Sequence, residues 1–361
     1  MILQPTKQSE DSYFKGRGAQ VKPKNRYLQH EYVAEHLEGI DAPLISSPST
    51  QVYEEHPKKI LNKVTSPDLG MEYSMNPYQG CEHGCIYCYA RNTHTYWGFN
   101  AGLDFESKII AKPTAPELLE KELRKSKHVA QSIMLSGNTD CYQPLERKMQ
   151  ITRRMLQVLL KYKHPVSIIT KNALILRDLD LLTEMSSMKL VNVTISITTL
   201  DEKMRLLMEP RTAAAKRRLD VVQMLSAKGI PVNINVSPII PSINSEEIPS
   251  ILEASANAGA LTAHYGMVRL NGDVGIVFKD WIYKNLPDRA EKVLNQVASM
   301  HGGQLGDSRF GIRMKGEGEL ASSIRRLFEV SKARYFAGRV FPALDYTLFD
   351  NSEPKAQLSL F

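Results

Sequence analysis

From about residue 70 onward the chain repeats one pattern: a short apolar run rich in β-branched residues, then a longer stretch with helical spacing. The short runs fall at 72–77, 132–136 (SIMLS), 166–170 (VSIIT), 191–197 (VNVTISI), 231–237 (PVNINVS) and 263–269. Between them, 115–126, 146–162, 174–186, 212–228 and 245–258 carry helical periodicity, with Met155, Val158 and Leu159 on one face of the second. This alternation is the mark of a parallel sheet with crossover helices. Six strands so connected predict an α/β fold of the partial (β/α)6 barrel type. In such a barrel the loops after the C-terminal ends of the strands carry the chemistry.

Residues 1–65 are polar, with an early basic group (Lys15, Arg17, Lys22, Lys24, Arg26) and no sustained period, so they read as an irregular extension. The expected organisation is an N-terminal extension over 1–65, a barrel over 66–300 and a C-terminal extension over 301–361. With 42% hydrophobic and 24% charged residues, the composition is that of a globular protein and argues against general disorder. The start, MILQPTKQSEDSYFKGRG, lacks the apolar run of a signal peptide, and no stretch approaches the ~20 apolar residues of a membrane span. A cytoplasmic protein with no membrane partner is expected. The net charge of +7 is uneven, since residues 145–163 hold six Lys or Arg against one Glu. That excess fits a polyanionic partner or a solvated basic helix face.

Only four cysteines occur, and three of them lie in the segment NPYQGCEHGCIYCYAR as a C-x3-C-x2-C array directly after the first predicted strand. Thiols so clustered do not make the spread framework of a secreted disulfide protein and point instead to metal. Cys81, Cys85 and Cys88 at this spacing can each bind one iron of a cubane. With no fourth cysteine in the array, one iron keeps an open coordination position, the arrangement that separates catalytic from structural metal sites. The other reading of the same residues is a Cys3His zinc site with His83 or His94 as fourth ligand.

The C-x3-C-x-aromatic-C array after the first strand resembles the radical AdoMet superfamily. The resemblance implies a [4Fe-4S] cluster and S-adenosylmethionine (AdoMet) as cofactors, an electron donor for the cluster, and reductive cleavage of AdoMet to a 5'-deoxyadenosyl radical. It implies Cys81, Cys85 and Cys88 as cluster ligands and Tyr87 as the aromatic beside the adenine. Ser136, Gly137, Asn138 and Thr139, after the second strand, stand where the family contacts the AdoMet amine. Lys171 resembles a carboxylate-contacting lysine, and Ser196 stands near the ribose, with the VSPIIP run from Val236 to Pro241 against the adenine. An exposed loop lysine and ordinary strand packing are the competing readings of these last three.

Within the superfamily, the SGNTD loop, the SITTLD segment, GRGAQ near the N-terminus and RYFAGRVFPALDYTLF near the C-terminus resemble the spore photoproduct lyase branch and an uncharacterised bacterial group related to it. Lyases of that branch repair a thymine dimer and return a hydrogen atom from a cysteine. Gly137 stands at that place here, and Cys141 falls four residues later, as a candidate for the same cavity or as a small buried hydrophobe. Tyr89 resembles a tyrosine taking part in hydrogen return, so Tyr89 and Cys141 are the candidate catalytic residues. Residues 309–341 interleave eight Lys or Arg with Phe310, Phe328, Tyr335, Phe336 and Phe341, which suits phosphate contact with base stacking, although Ile324, Leu327 and Phe328 also have core spacing. The terminal QLSLF resembles the peptide that binds the bacterial DNA sliding clamp through Gln357, Leu358, Leu360 and Phe361; the other reading is a tail that docks on its own domain. A DNA-repair-like reaction on nucleic acid is therefore expected. The alternatives are radical modification of RNA or protein, or a zinc-dependent nucleic-acid-binding module without catalysis.

Overall fold

The strands that the alternation predicts pair in the order in which they occur. A computed structural model describes residues 13–27 and 49–352. Its strands are β1 (Gln51–Glu54), β2 (Asn62–Lys63), β3 (Tyr73–Met75), β4 (Tyr78–Gln79), β5 (Lys108–Ala111), β6 (Ile133–Leu135), β7 (Val166–Thr170), β8 (Val191–Ser196), β9 (Val232–Ile239) and β10 (Thr262–Met267). β3, β6, β7, β8, β9 and β10 lie side by side and parallel, and β2 joins the β3 edge antiparallel. The expected six-stranded parallel sheet is thus present, with crossover helices Ala115–Leu123, Ile151–Lys161, Leu179–Ser187, Ala215–Ala227 and Ile248–Asn257. A smaller sheet pairs β1 and β4 with β5.

The sheet forms here because its strands bury one Val/Ile face against the helices and cover most of the more polar opposite face as well. In β8, Val191, Val193 and Ile195 are buried together with Thr194 and Ser196 from the opposite face. The helix Ile151–Lys161 adds Met155, Leu156 and Leu159, all fully buried, to the same core. Each such side chain contributes ~1.5–3 kcal/mol of burial energy.

Two helices differ from expectation for local reasons. The 146–162 pattern is broken at Gln150, whose φ of 50° interrupts the helix between Glu146–Met149 and Ile151–Lys161. The 174–186 pattern opens as a 3-10 turn, Ala173–Asp178, capped by the Asn172 side chain accepting from the Leu174 amide at 3.0 Å. Three helices beyond the expected set follow β10: Asp273–Asn285, Pro287–Ser299 and Gly318–Tyr335. The last packs on Ile248–Asn257 and β10, burying Ile324 and Phe328. Phe328 and Phe336 are therefore core residues rather than a stacking surface, whereas Phe310 is exposed.

Half of the basic residues of 145–163 are met by neighbouring acids: Arg153 pairs with Asp178 and Asp180, Arg154 with Glu117, and Lys161 with Glu120. Residues 13–27 hold no helix or strand, yet Arg17, Ala19, Gln20 and Asn25 are buried. Among the described residues no helix is long and apolar enough to cross a membrane. The QLSLF residues Gln357, Leu358, Leu360 and Phe361 lie outside the described residues.

Candidate active site

The cysteine array occupies the loop that leaves β4. Its backbone is pinned at several points: Cys81 N–H donates to the Phe105 carbonyl at 2.9 Å, Ile86 N–H to Met208 at 3.1 Å, and Arg91 Nε to the Cys85 carbonyl at 2.9 Å. Gly84 supplies the left-handed turn between the first two cysteines, at φ +70°. Gly18 of the GRGAQ segment lies against that turn so closely that a Cβ would stand 1.8 Å from the Gly84 carbonyl oxygen. Only glycine passes there.

Behind the loop sit two buried carboxylates. Glu106, fully buried, accepts from the Gly18 and Ala19 amides at 2.9 and 2.7 Å and from Arg91 Nη2 at 2.5 Å. It thereby ties the N-terminal segment to the arginine that holds Cys85. Glu209, also fully buried, accepts from the Tyr87 hydroxyl, from Arg218 Nη2 and from Thr198 Oγ1. Burial alone would raise its pKa, but the Arg218 and Lys171 cations more than offset this and hold it at about 2. A charged Glu209 fixes the Tyr87 ring against the cluster loop.

In front of the loop opens a cavity with about 950 Å³ of empty space, mouth included. Cys81, Cys85, Cys88, Tyr87, Tyr89, Ser136, Asn138, Thr139, Lys171 and Ser196 all line it, so residues spread over more than a hundred positions meet at one end of the sheet. The Asn138 and Thr139 amides are held by Asn76 Oδ1 at 2.8 and 3.3 Å, and Ser136 bends the chain with a φ of 77°. The Lys171 amide donates to Asp140 at 2.8 Å, while its ammonium has no carboxylate partner among the described residues. Of the VSPIIP run, Ser237 and Pro238 reach the cavity wall; Val236, Ile239 and Ile240 are buried in the core. Gly137 contributes its carbonyl, which accepts from the half-exposed Tyr89 hydroxyl.

Cys141 does not join these residues. Its side chain is fully buried in the main hydrophobic core, outside the cavity wall, and behaves as a small apolar residue. The strand pattern missed Asn235, Arg269 and Met314, which also line the cavity. Asn235 was detectable as a polar residue near the end of an apolar strand. Met314 comes from a segment without periodicity and left no such signal.

The donor set fits a cluster better than a single ion. The three thiols are free, and burial raises the pKa of each, so they become thiolates only when a cation replaces the proton. Among the described residues no three Cys, His, Asp or Glu converge on one ion position. A Cys3His zinc site needs that convergence, whereas a cube spreads its ligands one per iron. Neither histidine completes a zinc set. His83 is occupied by Asp140 at 3.4 Å and Asn172 at 3.0 Å, and His94 is packed between Phe99 and Phe105, away from the cavity.

Comparison with known proteins agrees with this geometry. The family model described as the Radical SAM superfamily matches residues 75–254. An uncharacterised protein of Mycobacterium bovis is 31% identical over 234 residues, covering 64% of this chain and 69% of that protein. An uncharacterised protein of Methanocaldococcus jannaschii is 30% identical over 241 residues, covering 67% and 86%. Among solved structures, a spore photoproduct lyase variant aligns with a TM-score of 0.58 at 15% identity, over 80% of each chain. Another, with bound AdoMet and dinucleoside spore photoproduct, aligns with a TM-score of 0.58 at 15% identity, over 80% of this chain and 79% of that one.

Proposed function

Because the chain belongs to the radical SAM superfamily, whose members use a [4Fe-4S] cluster, AdoMet and an electron donor, we propose that it is an enzyme cleaving AdoMet reductively and acting on nucleic acid in a DNA-repair-like role. The observation that carries this reading is the meeting of three free thiols, the Ser136–Thr139 turn and an unpaired Lys171 around one cavity. Cys81, Cys85 and Cys88 would hold the cluster. When bound, the cofactors supply a 5'-deoxyadenosyl radical, and the protein's part is to bind, orient and shelter them. Lys171 offers the AdoMet carboxylate a charge-assisted hydrogen bond. With the cofactor bound, the Ser136–Thr139 turn would contact the amine, Ser196 the ribose and Tyr87 the adenine.

The choice of nucleic acid rests on the lyase branch. A solved structural neighbour carries a dinucleoside photoproduct, and the shared fold alone does not transmit that substrate. Tyr89, half exposed at the mouth with its hydroxyl on the Gly137 carbonyl, is the candidate hydrogen-atom donor. Cys141, sealed in the core, is not. On this reading the hydrogen atom returns from Tyr89 rather than from a cysteine.

The test is release of 5'-deoxyadenosine by anaerobically reconstituted, reduced enzyme given irradiated DNA, native DNA or RNA. Release stimulated by irradiated DNA above the other two supports the repair reading, and stimulation by RNA alone replaces it with RNA modification. Changing Cys85 to Ala should remove most of the iron; an iron-replete variant with intact cluster absorbance would sink the ligand assignment.

A further inference from the structure

Arg269 is a charged cavity residue that neither the sequence pattern nor the cofactor reading uses. It lies just past β10, lines the cavity, and makes no hydrogen bond or ion pair among the described residues. Its guanidinium stands 5.7 Å from the centre of the Tyr89 ring, which is 48% exposed. A half-buried arginine without an acceptor is costly unless a ligand supplies one.

Its neighbours make the spot more cationic. Burial and then the nearby Arg313 weigh against the charge on Arg269, pushing its pKa down. The adjacent carboxylate, Asp68, is already engaged by Arg313 Nε at 2.6 Å and the Gly311 amide at 2.7 Å. Arg313 in turn lies over the ring of Phe310, 4.5 Å from its centre, and that ring is 58% exposed. Two arginine–aromatic pairs therefore stand close together, one of them on the cavity wall, with the Arg269 guanidinium still to be satisfied.

We propose that Arg269 receives a backbone phosphodiester of a single-stranded or flipped-out nucleic-acid substrate, with the Tyr89 ring offering the stacking face for the adjoining base. The inference rests on the nucleic-acid reading above and deepens it. Arginine forks match phosphate oxygens in pairs, and aromatic faces accept any base, so the pair together fits a nucleotide better than a lone carboxylate. Arg313 is already held by Asp68 and Ser66, which leaves Arg269 as the guanidinium free to take the phosphate.

The experiment is fluorescence anisotropy of a labelled single-stranded oligonucleotide titrated with the cluster-loaded enzyme at several salt concentrations. Arg269→Gln should weaken binding about tenfold or more and lower the slope of log affinity against log salt by ~0.7, the share of one phosphate contact on a single strand. Arg269→Lys keeps the point charge, so it should retain the salt slope while losing part of the affinity. Iron content and circular dichroism confirm that each variant is folded and loaded. Wild-type binding that Arg269→Gln leaves unchanged in both affinity and slope overturns this inference and spares the nucleic-acid reading. A wild-type enzyme that ignores the oligonucleotide overturns both, as does Arg269-dependent binding of acidic peptides in its place.

Discussion

The cysteine loop has a back and a front, and charge is handled oppositely on the two. At the back, Glu106 with Arg91 and Glu209 with Arg218 are fully buried, and each carboxylate is surrounded by donors. At the front, Lys171 and Arg269 face the cavity without a carboxylate partner among the described residues. Saturated pairs fix geometry and leave nothing for a ligand; unsaturated cations do the reverse. The loop is thus a rigid partition between a structural side and a binding side.

Changes at the back should be the most damaging to the fold. Glu209→Ala leaves Arg218 buried and unpaired, and the expected loss is ~3–5 kcal/mol, read by denaturant unfolding. Acid should reproduce part of it. The Glu209 carboxyl sits at about 2 against 4.5 for an ordinary glutamate. Because the folded value is the lower one, its contribution is complete above pH 4.5 and is lost as pH falls toward 2, an effect on the order of 3 kcal/mol. A variant without that acid-sensitive component should be Glu209→Gln; an unchanged acid limb there would break the contrast. Glu106→Ala should cost a comparable ~3–5 kcal/mol, by stranding Arg91 and two amides. It should also speed hydrogen exchange at Gly18 and Ala19, whereas protection equal to wild type would remove Glu106 as the tie between segment and loop.

Gly18→Ala tests the same partition from the N-terminal side. The added methyl meets the Gly84 carbonyl oxygen at 1.8 Å, a backbone atom that cannot swing aside. Displacing the segment should cost ~1–3 kcal/mol, as other overpacking does, and lower iron retention. Full stability and full iron loading would mean that the segment merely rests on the loop.

How much of this division was legible in the chain follows from its physics. The parallel strands were readable because burial on both faces leaves runs such as VSIIT and VNVTISI, and the cysteine loop was readable from spacing alone. The back of the site was not. Glu106, Glu209 and Arg218 look like ordinary helix-face charges in sequence, and only the fold removes them from water. Likewise Phe328 and Phe336 carry the same letters as stacking residues, and tertiary packing, not composition, decides that they are core. Cys141 follows a site turn in sequence, yet its side chain points into the core.

At the front, substitution should separate binding from folding. Lys171→Met removes a cation that makes no salt bridge but helps to keep buried Glu209 charged, so the stability loss should stay well below the ~3–5 kcal/mol expected for Glu209→Ala. AdoMet affinity should fall by roughly 10- to 150-fold, the equivalent of a hydrogen bond to a charged group worth ~1.5–3 kcal/mol. Isothermal titration against the cluster-loaded enzyme reads the first quantity and denaturant unfolding the second. A large stability loss with unchanged affinity would place Lys171 on the structural side of the partition.

The smallest effect belongs to Cys141, which lies near the site in sequence and on neither side of the partition in space. Its amide donates to Ser136 Oγ at 2.5 Å and its carbonyl accepts from Thr152 Oγ1 at 2.7 Å. Both bonds are made by the backbone and survive a side-chain change, whereas the thiol's own hydrogen bonds to Ser136 and Thr152 are lost. Cys141→Ala therefore deletes one buried sulfur and should cost only ~1 kcal/mol, the scale of a small core truncation. Substrate-dependent 5'-deoxyadenosine release and product yield should match wild type. Should the yield collapse while iron content and stability hold, the thiol reaches the cavity through a motion that the buried arrangement does not reveal, and the core position of Cys141 would be one of two conformations.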